Sequence, residues 1–499
     1  MWPFTRKRRA IPPRESPPRV VLPTAARTFK AGGTDRLTSS WATSPIHINQ
    51  LIRQQLRPMR SRSREQVENN DYARRFRQML QSNVVGPDGI LLQSRLVNAR
   101  GNLTKPINDA VEWAWYRWGM PEHCHIVGHS SWADLQRQII TSVAEDGEAF
   151  IRLIRTGRYG LQLQLIDPEY IPIELERDAR QGAGRIRMGI EYDAWDRPVA
   201  YWMTDSQGDY YYGAGRYQRI PADEIVHAFV PFRSGALRGL PWMSSALLTL
   251  HMMDQYADAA VVNARMGAAK MGFICSESGE APPLTGRDSD GGPEIDAEPG
   301  TFPVLPDGYR VEKFETQYPN GEFGDFMKVL ARKVAAGLNV NYASLAGDLS
   351  DANYSSLKHG VAEEREFWRT LQNWMIDAVC RRVFRAWLDR AALRHQIKGV
   401  DPTMTDALVE AATWQARRWE WVDKLDGVKA DLLAVNARTR SLSEIIRESG
   451  RDPDDVWLEI QRDQERLKAL GIEPVPQNPG YQQTGTTEPQ TDESDQKAA

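Results

Sequence analysis

Two long helical patterns bracket a short insert rich in glycine, proline and aspartate, and this arrangement constrains the fold of the 499-residue chain more than any other feature. Across residues 241–269, Met243, Leu247, Leu250, Met253, Ala257, Ala260, Val261 and Ala264 trace one helical face, with Asp254, Asp258 and Arg265 elsewhere on the cylinder. Pro241 suits the start of this helix, because the N–H that proline lacks has no intrahelical partner there. A second long helix is predicted over residues 324–338. Between the two, strand-like runs at 271–275 and 302–314 flank a polar loop at 276–300.

The chain before this unit reads as a mixed α/β domain over residues 41–240. Helices are predicted at 45–59, 63–83, 107–118 and 132–144, and strands at 90–96, 148–154, 161–166, 186–192 and 199–203. Pro87-Asp88-Gly89 and Asp196-Arg197-Pro198 are turn signals. After the unit come a polar loop at 341–353, a very long helical pattern at 356–396, and further helices over 401–470 with a cap signal at Ser441-Leu442-Ser443-Glu444. Residues 1–40 read as a flexible arm and residues from 474 onward as a disordered tail. There is no internal repeat, and the length calls for about three folding units.

Charge is informative in its distribution rather than its sum. The formal net charge is only -3, yet residues 1–64 hold 14 Lys or Arg against Glu15 and Asp35. Residues 277–298 reverse the sign, with seven acids against Arg287. A basic arm sits on phosphate or on an acidic partner, or is simply solvated. Three scattered cysteines, Cys124, Cys275 and Cys380, argue against a disulfide framework and fit a reducing cytoplasm. No run approaches the roughly 18 apolar residues needed to span a bilayer, and no apolar stretch follows the basic N-terminus as in a secretory signal.

Catalytic signatures are largely absent from the sequence. The dipeptide Gly-Lys is absent, so there is no phosphate-cradling G-x-x-x-x-G-K-[ST] loop. The H-E-x-x-H and G-x-S-x-G patterns are absent too. His123-Cys124-His125 with His129 offers zinc-ligand types, but neighbours in an extended segment point opposite ways and no second ligand pair lies at finger spacing. Glu145, Asp146 and Glu148 are the one local set of acids that a magnesium-dependent nuclease would use, against ordinary turn chemistry at Asp146-Gly147. Trp113, Trp115, Trp118 and Trp132 cluster at helical spacing, which favours core or subunit interface over base stacking.

Six segments in order are similar to the lambda-type family of phage portal proteins. They are Arg60-Ser61-Arg62-Ser63-Arg64 leading through Asn69-Asn70 to Val84-Val85-Gly86; Glu145-Asp146-Gly147-Glu148-Ala149-Phe150; Asp167-Pro168-Glu169; Arg238-Gly239-Leu240-Pro241-Trp242; Asn353-Tyr354-Ser355-Ser356-Leu357; and Trp419-Glu420-Trp421-Val422-Asp423. Departures are an extra turn residue at Pro87-Asp88-Gly89 and Lys424-Leu425-Asp426 where the family continues with Pro and Lys.

The resemblance implies an α+β portal fold assembled as a ring, usually of twelve copies, at one vertex of the phage head. It implies a basic N-terminal arm (1–40), an α/β wing (41–240), a stem helix (241–269), a small β clip (270–321), a second stem helix (322–340), a tunnel loop (341–355), wing and crown helices (356–473) and a tail (474–499). Asn341, Tyr342, Ser344, Leu345, Asp348 and Leu349 would form the tunnel loop around double-stranded DNA bound without sequence preference. Lys328, Arg332, Lys333 and Lys358 would either face the bore as basic rings or make intersubunit salt bridges with acids such as Asp254 or Asp258. Glu277, Glu280, Asp288, Asp290, Glu294 and Asp296 would dock the terminase large subunit on the clip, and later a head-completion adaptor. Major capsid and scaffold proteins are further implied partners. No enzyme activity, cofactor or membrane is expected, and the location is the virion after synthesis in host cytoplasm. A different head–tail connector protein, or a packaging-associated metal-dependent nuclease, is the alternative reading. A channel that lets duplex slide must not bind it tightly, because each neutralised phosphate adds affinity through released counterions. The absence of Lys and Arg from residues 341–350 suits that requirement.

Overall fold

The computed structural model of the chain describes residues 42, 45–179, 184–204, 217–268, 272–276, 309–313, 322–350, 353–419, 424–449 and 451–471. The arm at 1–40, the tail from 474 and the six clip acids Glu277, Glu280, Asp288, Asp290, Glu294 and Asp296 lie outside them. The chain divides into two units, 1–47 and 48–499, and among the described residues every helix and strand belongs to the second.

Helix α1 (Ile48–Asn69) buries Ile48, Ile52, Leu56, Arg60, Ser63 and Val67, a single stripe at steps of three and four. The break expected near residues 60–62 is absent, and Pro58 lies within the helix. The interruption falls at Asn70 instead. Its side-chain oxygen accepts from the N–H groups of Tyr72 and Ala73 at 2.9 and 3.0 Å, satisfying the first donors of α2 (Asp71–Leu80). A five-residue π turn (Gln81–Val85) then delivers the chain to β1 (Leu91–Ser94), α3 (Lys105–Trp118), the one-turn α4 (Pro121–Cys124) and α5 (Trp132–Asp146). Ser131 and Asp134 form a reciprocal capping box at the start of α5.

Strands β2 (Glu148–Ile154) and β3 (Gln162–Ile166) pair antiparallel. Four short strands follow as a meander in sequence order: β4 (Arg185–Arg187), β5 (Ile190–Tyr192), β6 (Pro198–Thr204) and β7 (Tyr217–Pro221). The single strand expected at 186–192 is two, because Met188 and Gly189 both take positive φ and turn the chain between them. Strand β8 (Ile225–Phe229) then returns to the free edge of β2, giving the order β3-β2-β8.

Helix α6 (Leu247–Ala268) and helix α7 (Phe323–Gly337) bracket β9 (Gly272–Ser276) and β10 (Tyr309–Lys313), which pair antiparallel with Ser276 opposite Tyr309. The polar stretch expected as loop at 341–353 contains a helical turn, α8 (Tyr342–Ala346). After α9 (Tyr354–Met375), a π turn (Ile376–Cys380) and α10 (Arg381–Leu393) come α11 (Thr405–Glu410), β11 (Ala412–Gln415), α12 (Lys424–Asn436), α13 (Leu442–Glu448) and α14 (Pro453–Ala469). The all-helical expectation for 401–470 missed β11. This strand is set by a partner over 300 residues away, β1, with Leu92 opposite Trp414. Strand identity fixed by distant pairing is not a local sequence property.

Two cores carry most of the packing. In one, the Trp115 ring lies 4.6 Å from Trp118 and 5.1 Å from Trp387, with Trp132 and Phe384 around them. The predicted tryptophan cluster therefore divides: Trp115, Trp118 and Trp132 are buried, while Trp113 remains 57% exposed. In the other, Phe76, Leu250, Met253, Val334, Leu338, Leu345 and Trp368 bring α2, α6, α7, α8 and α9 together.

Candidate functional site

The segment 341–350 is a braced corner rather than an open loop. Asn341 Oδ1 accepts from the Ala343 N–H at 2.8 Å and caps α8, and Gly347 at φ +68° ends it. Leu345 is buried in the helical core. The Tyr342 hydroxyl donates to Asp348 at 2.8 Å, and Asp348 also accepts from the N–H and hydroxyl of Ser350 at 3.0 and 2.6 Å. The Ser350 and Tyr342 hydrogen bonds hold the Asp348 carboxyl well below the usual carboxylate range. Burial, then the bond to Asp348, pushes the Tyr342 hydroxyl up to about 12. Ser344 Oγ donates to Glu364 of α9 at 2.8 Å. Of the six predicted loop residues, five are committed to this brace, and Leu349 is 59% exposed.

The predicted basic residues divide in two. Lys328 Nζ lies 3.8 Å from Asp348 and 3.3 Å from Ser350 Oγ, and the Arg332 guanidinium sits 5.3 Å from the Tyr342 ring centre. Both stiffen the corner. Lys333 and Lys358 are exposed. Asp254, weighed as a salt-bridge acid, instead accepts from Asn70 Nδ2 at 2.8 Å and ties α6 to the α1–α2 junction.

Behind the entry to α6 lies a buried ion cluster. Arg238 and Arg60, 0% and 1% exposed, both reach the fully buried Glu148. Arg238 Nε donates to both Glu148 oxygens at 2.8 Å, and Arg60 Nη2 donates to Oε1 at 2.8 Å. Arg60 Nη1 also binds Glu169 at 2.7 Å, and Arg64 binds Asp146 and Asp167 at 2.6 and 2.8 Å. Arg57 approaches Glu169 at 3.5 Å. Four guanidiniums thus face four carboxylates, and at the buried centre removing Glu148 or Arg238 leaves an uncompensated buried charge. Burial opposes the charge on Glu148, but Arg238 and the His227 hydrogen bond outweigh it and hold the carboxyl well below its ordinary range. Burial lowers His227, which stays neutral near pH 7. Its Nε2 stands 2.9 Å from Glu148. Because the ionised carboxylate only accepts, that nitrogen carries the proton.

The same place demands two glycines. Gly147, at φ +91°, caps α5, and a Cβ there would lie 2.6 Å from the Leu240 carbonyl carbon. A Cβ on Gly239 would lie 1.9 Å from the Gly147 oxygen. Four separate motifs (Arg60 to Arg64, Asp146-Gly147-Glu148, Asp167-Pro168-Glu169 and Arg238-Gly239) therefore meet at one point, and only Arg62 of the first motif's arginines points to solvent. Two more ends meet elsewhere: Trp419 Nε1 donates to Asn83 Oδ1 at 3.0 Å, beside the buried Val84 and Val85. Sequence reasoning named these segments without their meeting. The readable signal was an arginine, Arg60, on the buried stripe of α1.

The acids weighed for a metal are engaged in this framework. Glu148 and Asp146 belong to the cluster, and Glu145, pushed up to about 7 by burial, lies 3.4 Å from Arg77. Cys124, weighed with its histidines for zinc, is buried with Sγ 3.3 Å from the Ser130 carbonyl, and burial pushes its thiol up to about 12. His129 donates its N–H to His125 Nδ1 at 3.3 Å. Among the described residues no group of three or more His, Cys, Asp or Glu is placed to hold a metal ion, and no helix is long and apolar enough to cross a membrane.

Comparison with known proteins gives matches in sequence and in structure. The family described as phage portal protein, lambda family, matches residues 34–372. The probable portal protein of Halomonas phage phiHAP-1 is 33% identical over 484 residues, covering 95% of this chain and 93% of that protein. Portal protein B of Escherichia phage lambda is 20% identical, covering 83% of this chain and 84% of its own length. Among solved structures, a chain in the neck of an empty gene transfer agent particle aligns over 83% of this chain and 98% of its own, at 14% identity and a TM-score of 0.40.

Proposed function

This chain belongs to the lambda family of phage portal proteins, and from that premise we propose that it forms the ring at one capsid vertex through which double-stranded DNA is packaged and ejected. The observation that carries the ring is the outward face of the long helices. Leu248 and Met252 of α6, Val261 and Val262 near its C-terminal end, and Phe326 and Val329 of α7 are each about half or more exposed. Exposed apolar side chains at this density on two paired helices call for a neighbour. Copies packed head to tail about a closed rotation supply one without a free end.

In this reading the braced corner at 341–350 faces the bore. The flanking basic side chains Lys328 and Arg332 are tied down by Asp348 and Tyr342, which leaves little free positive charge to hold phosphates and slow the duplex. Lys333 and Lys358 supply the weak residual attraction. The β9–β10 unit carries the acidic clip loop at 277–298, on which a basic patch of the terminase motor docks during packaging and a head-completion adaptor docks afterwards. The protein is a structural part of the virion, made in host cytoplasm, and the work of translocation belongs to the motor.

The test is native mass spectrometry of the purified chain beside Leu248→Glu and Val329→Glu variants. The wild type should give a species near twelve copies of 56.6 kDa, and the charged variants should shift it to monomer. Unchanged assembly in both variants would refute the assigned interface.

A further inference from the structure

A groove of about 1120 Å³ opens between α3, the start of β1 and the tip of α14. It exceeds the roughly 300–1,000 Å³ typical of small-molecule pockets and suits a stretch of polypeptide. Its floor includes the buried Trp115 and Trp132, and its wall is the exposed pair Trp113 and Tyr116, 57% and 60% exposed. These two rings lie nearly parallel, 13° apart with centres 5.7 Å apart, and together form one exposed aromatic surface. Asp88, Asp109, Glu112 and Asp455 stand among the lining residues, which include no Lys, Arg or His. Lys105 lies just outside, 3.8 Å from Asp109 and 3.5 Å from Asp455. The Arg117 guanidinium already rests 5.0 Å from the Trp113 ring centre, so this ring accepts a guanidinium.

Flat aromatics beside carboxylates recognise a proline-rich segment that carries arginine. Proline rings lie on aromatic faces, a polyproline II segment loses little entropy on binding, and guanidiniums pair with the acids. The chain itself encodes such a ligand. Residues 11–19 read Ile11-Pro12-Pro13-Arg14-Glu15-Ser16-Pro17-Pro18-Arg19, two Pro-Pro-Arg units five residues apart, in a 40-residue stretch with nine Lys or Arg against two acids. A ligand bound in the polyproline II form would set arginines five residues apart about 15 Å from each other. We propose that the aromatic groove on α3 is the docking site for the Pro-Pro-Arg segment of a second copy of this chain. Each copy supplies one arm and one groove, the head-to-tail pairing a closed ring needs. The source of the arm rests on the ring reading; the chemistry of the groove does not.

The experiment uses the full-length chain with Ser16 replaced by photo-reactive p-benzoylphenylalanine, assembled from an equal mixture of isotopically light and heavy copies. After irradiation, cross-linked peptides are mapped by mass spectrometry, and particle mass is recorded on the same sample. Cross-links should fall within residues 88–133 or on Asp455, with half of them joining light to heavy. Trp113→Ala, and separately Arg14→Glu with Arg19→Glu, should each cut their yield about tenfold, as for loss of an anchoring contact. A ring whose cross-links map elsewhere, join only like copies, or persist undiminished in Trp113→Ala overturns this inference and leaves the ring reading standing. A chain that stays monomeric at every concentration fails the ring reading instead, and removes the second copy invoked here.

Discussion

Replacing Glu148 by Gln tests whether the buried ion cluster sets the start of α6. The change keeps side-chain shape but leaves Arg238 and Arg60, 0% and 1% exposed, facing a neutral amide. Arg60 retains Glu169 at 2.7 Å, whereas Arg238 keeps only the carbonyls of Met188 and Ile171 at 2.6 and 3.4 Å. Breaking one side of a buried pair costs about 3–5 kcal/mol, against a total stability of about 5–15 kcal/mol for an ordinary domain. Arg238→Met should cost a similar amount, because Glu148 then keeps only Arg60 and His227. The double variant removes both charges together, so its cost should fall short of the sum by about 2 kcal/mol. Urea unfolding followed by tryptophan fluorescence measures all three. Single losses below about 1 kcal/mol, or simple additivity, would refute the reasoning. The pH dependence follows from the same groups. The folded protein holds His227 below its ordinary 6.5 and Glu148 below its ordinary 4.5. As pH falls the unfolded chain therefore binds protons first, so both contributions are complete above pH 6.5. His227's contribution should decline below pH 6.5 and Glu148's below 4.5, so the stability advantage of wild type over Glu148→Gln should narrow as pH falls below 4.5.

Gly239→Ala should prevent folding at growth temperature, since its Cβ would fall 1.9 Å from the Gly147 oxygen; soluble yield and circular dichroism report it. Glu145 has its folded-state pKa raised to about 7 by burial, so its ionisation weakens the fold as pH rises through that value. Glu145→Gln should therefore raise stability by about 1–3 kcal/mol at pH 8 and by nothing at pH 4, measured by urea midpoints at both. Tyr342→Phe removes the donor to Asp348 and should cost about 1 kcal/mol, appearing as faster hydrogen exchange across 341–350 with the core unchanged.

The long helices were legible because their apolar periodicity is local and repeated. Residues 241–269 read as a helix from Leu247, Leu250 and Met253, and the structure has α6 there from Leu247 after a 3-10 turn at 242–245, while the helix read at 324–338 is α7. What was illegible depended on partners far along the chain. Strand β11 exists through β1, and the Arg60–Glu148–Arg238 cluster joins positions 88 and 90 residues apart. The corner at 341–350 read as a loop from its small polar residues, yet Asn341, Ser344 and Asp348 use that polarity to cap and tie a helical turn. Short polar side chains favour turns and helix starts alike, so composition does not separate the two.

The most direct test of the central claim is electron cryomicroscopy of the purified full-length chain. The expected image is a closed ring of about twelve copies with a central hole, α6 and α7 packed against neighbouring copies, and residues 341–350 nearest the axis. A compact dimer without a hole, or a ring that turns residues 341–350 to its outer surface, would contradict it.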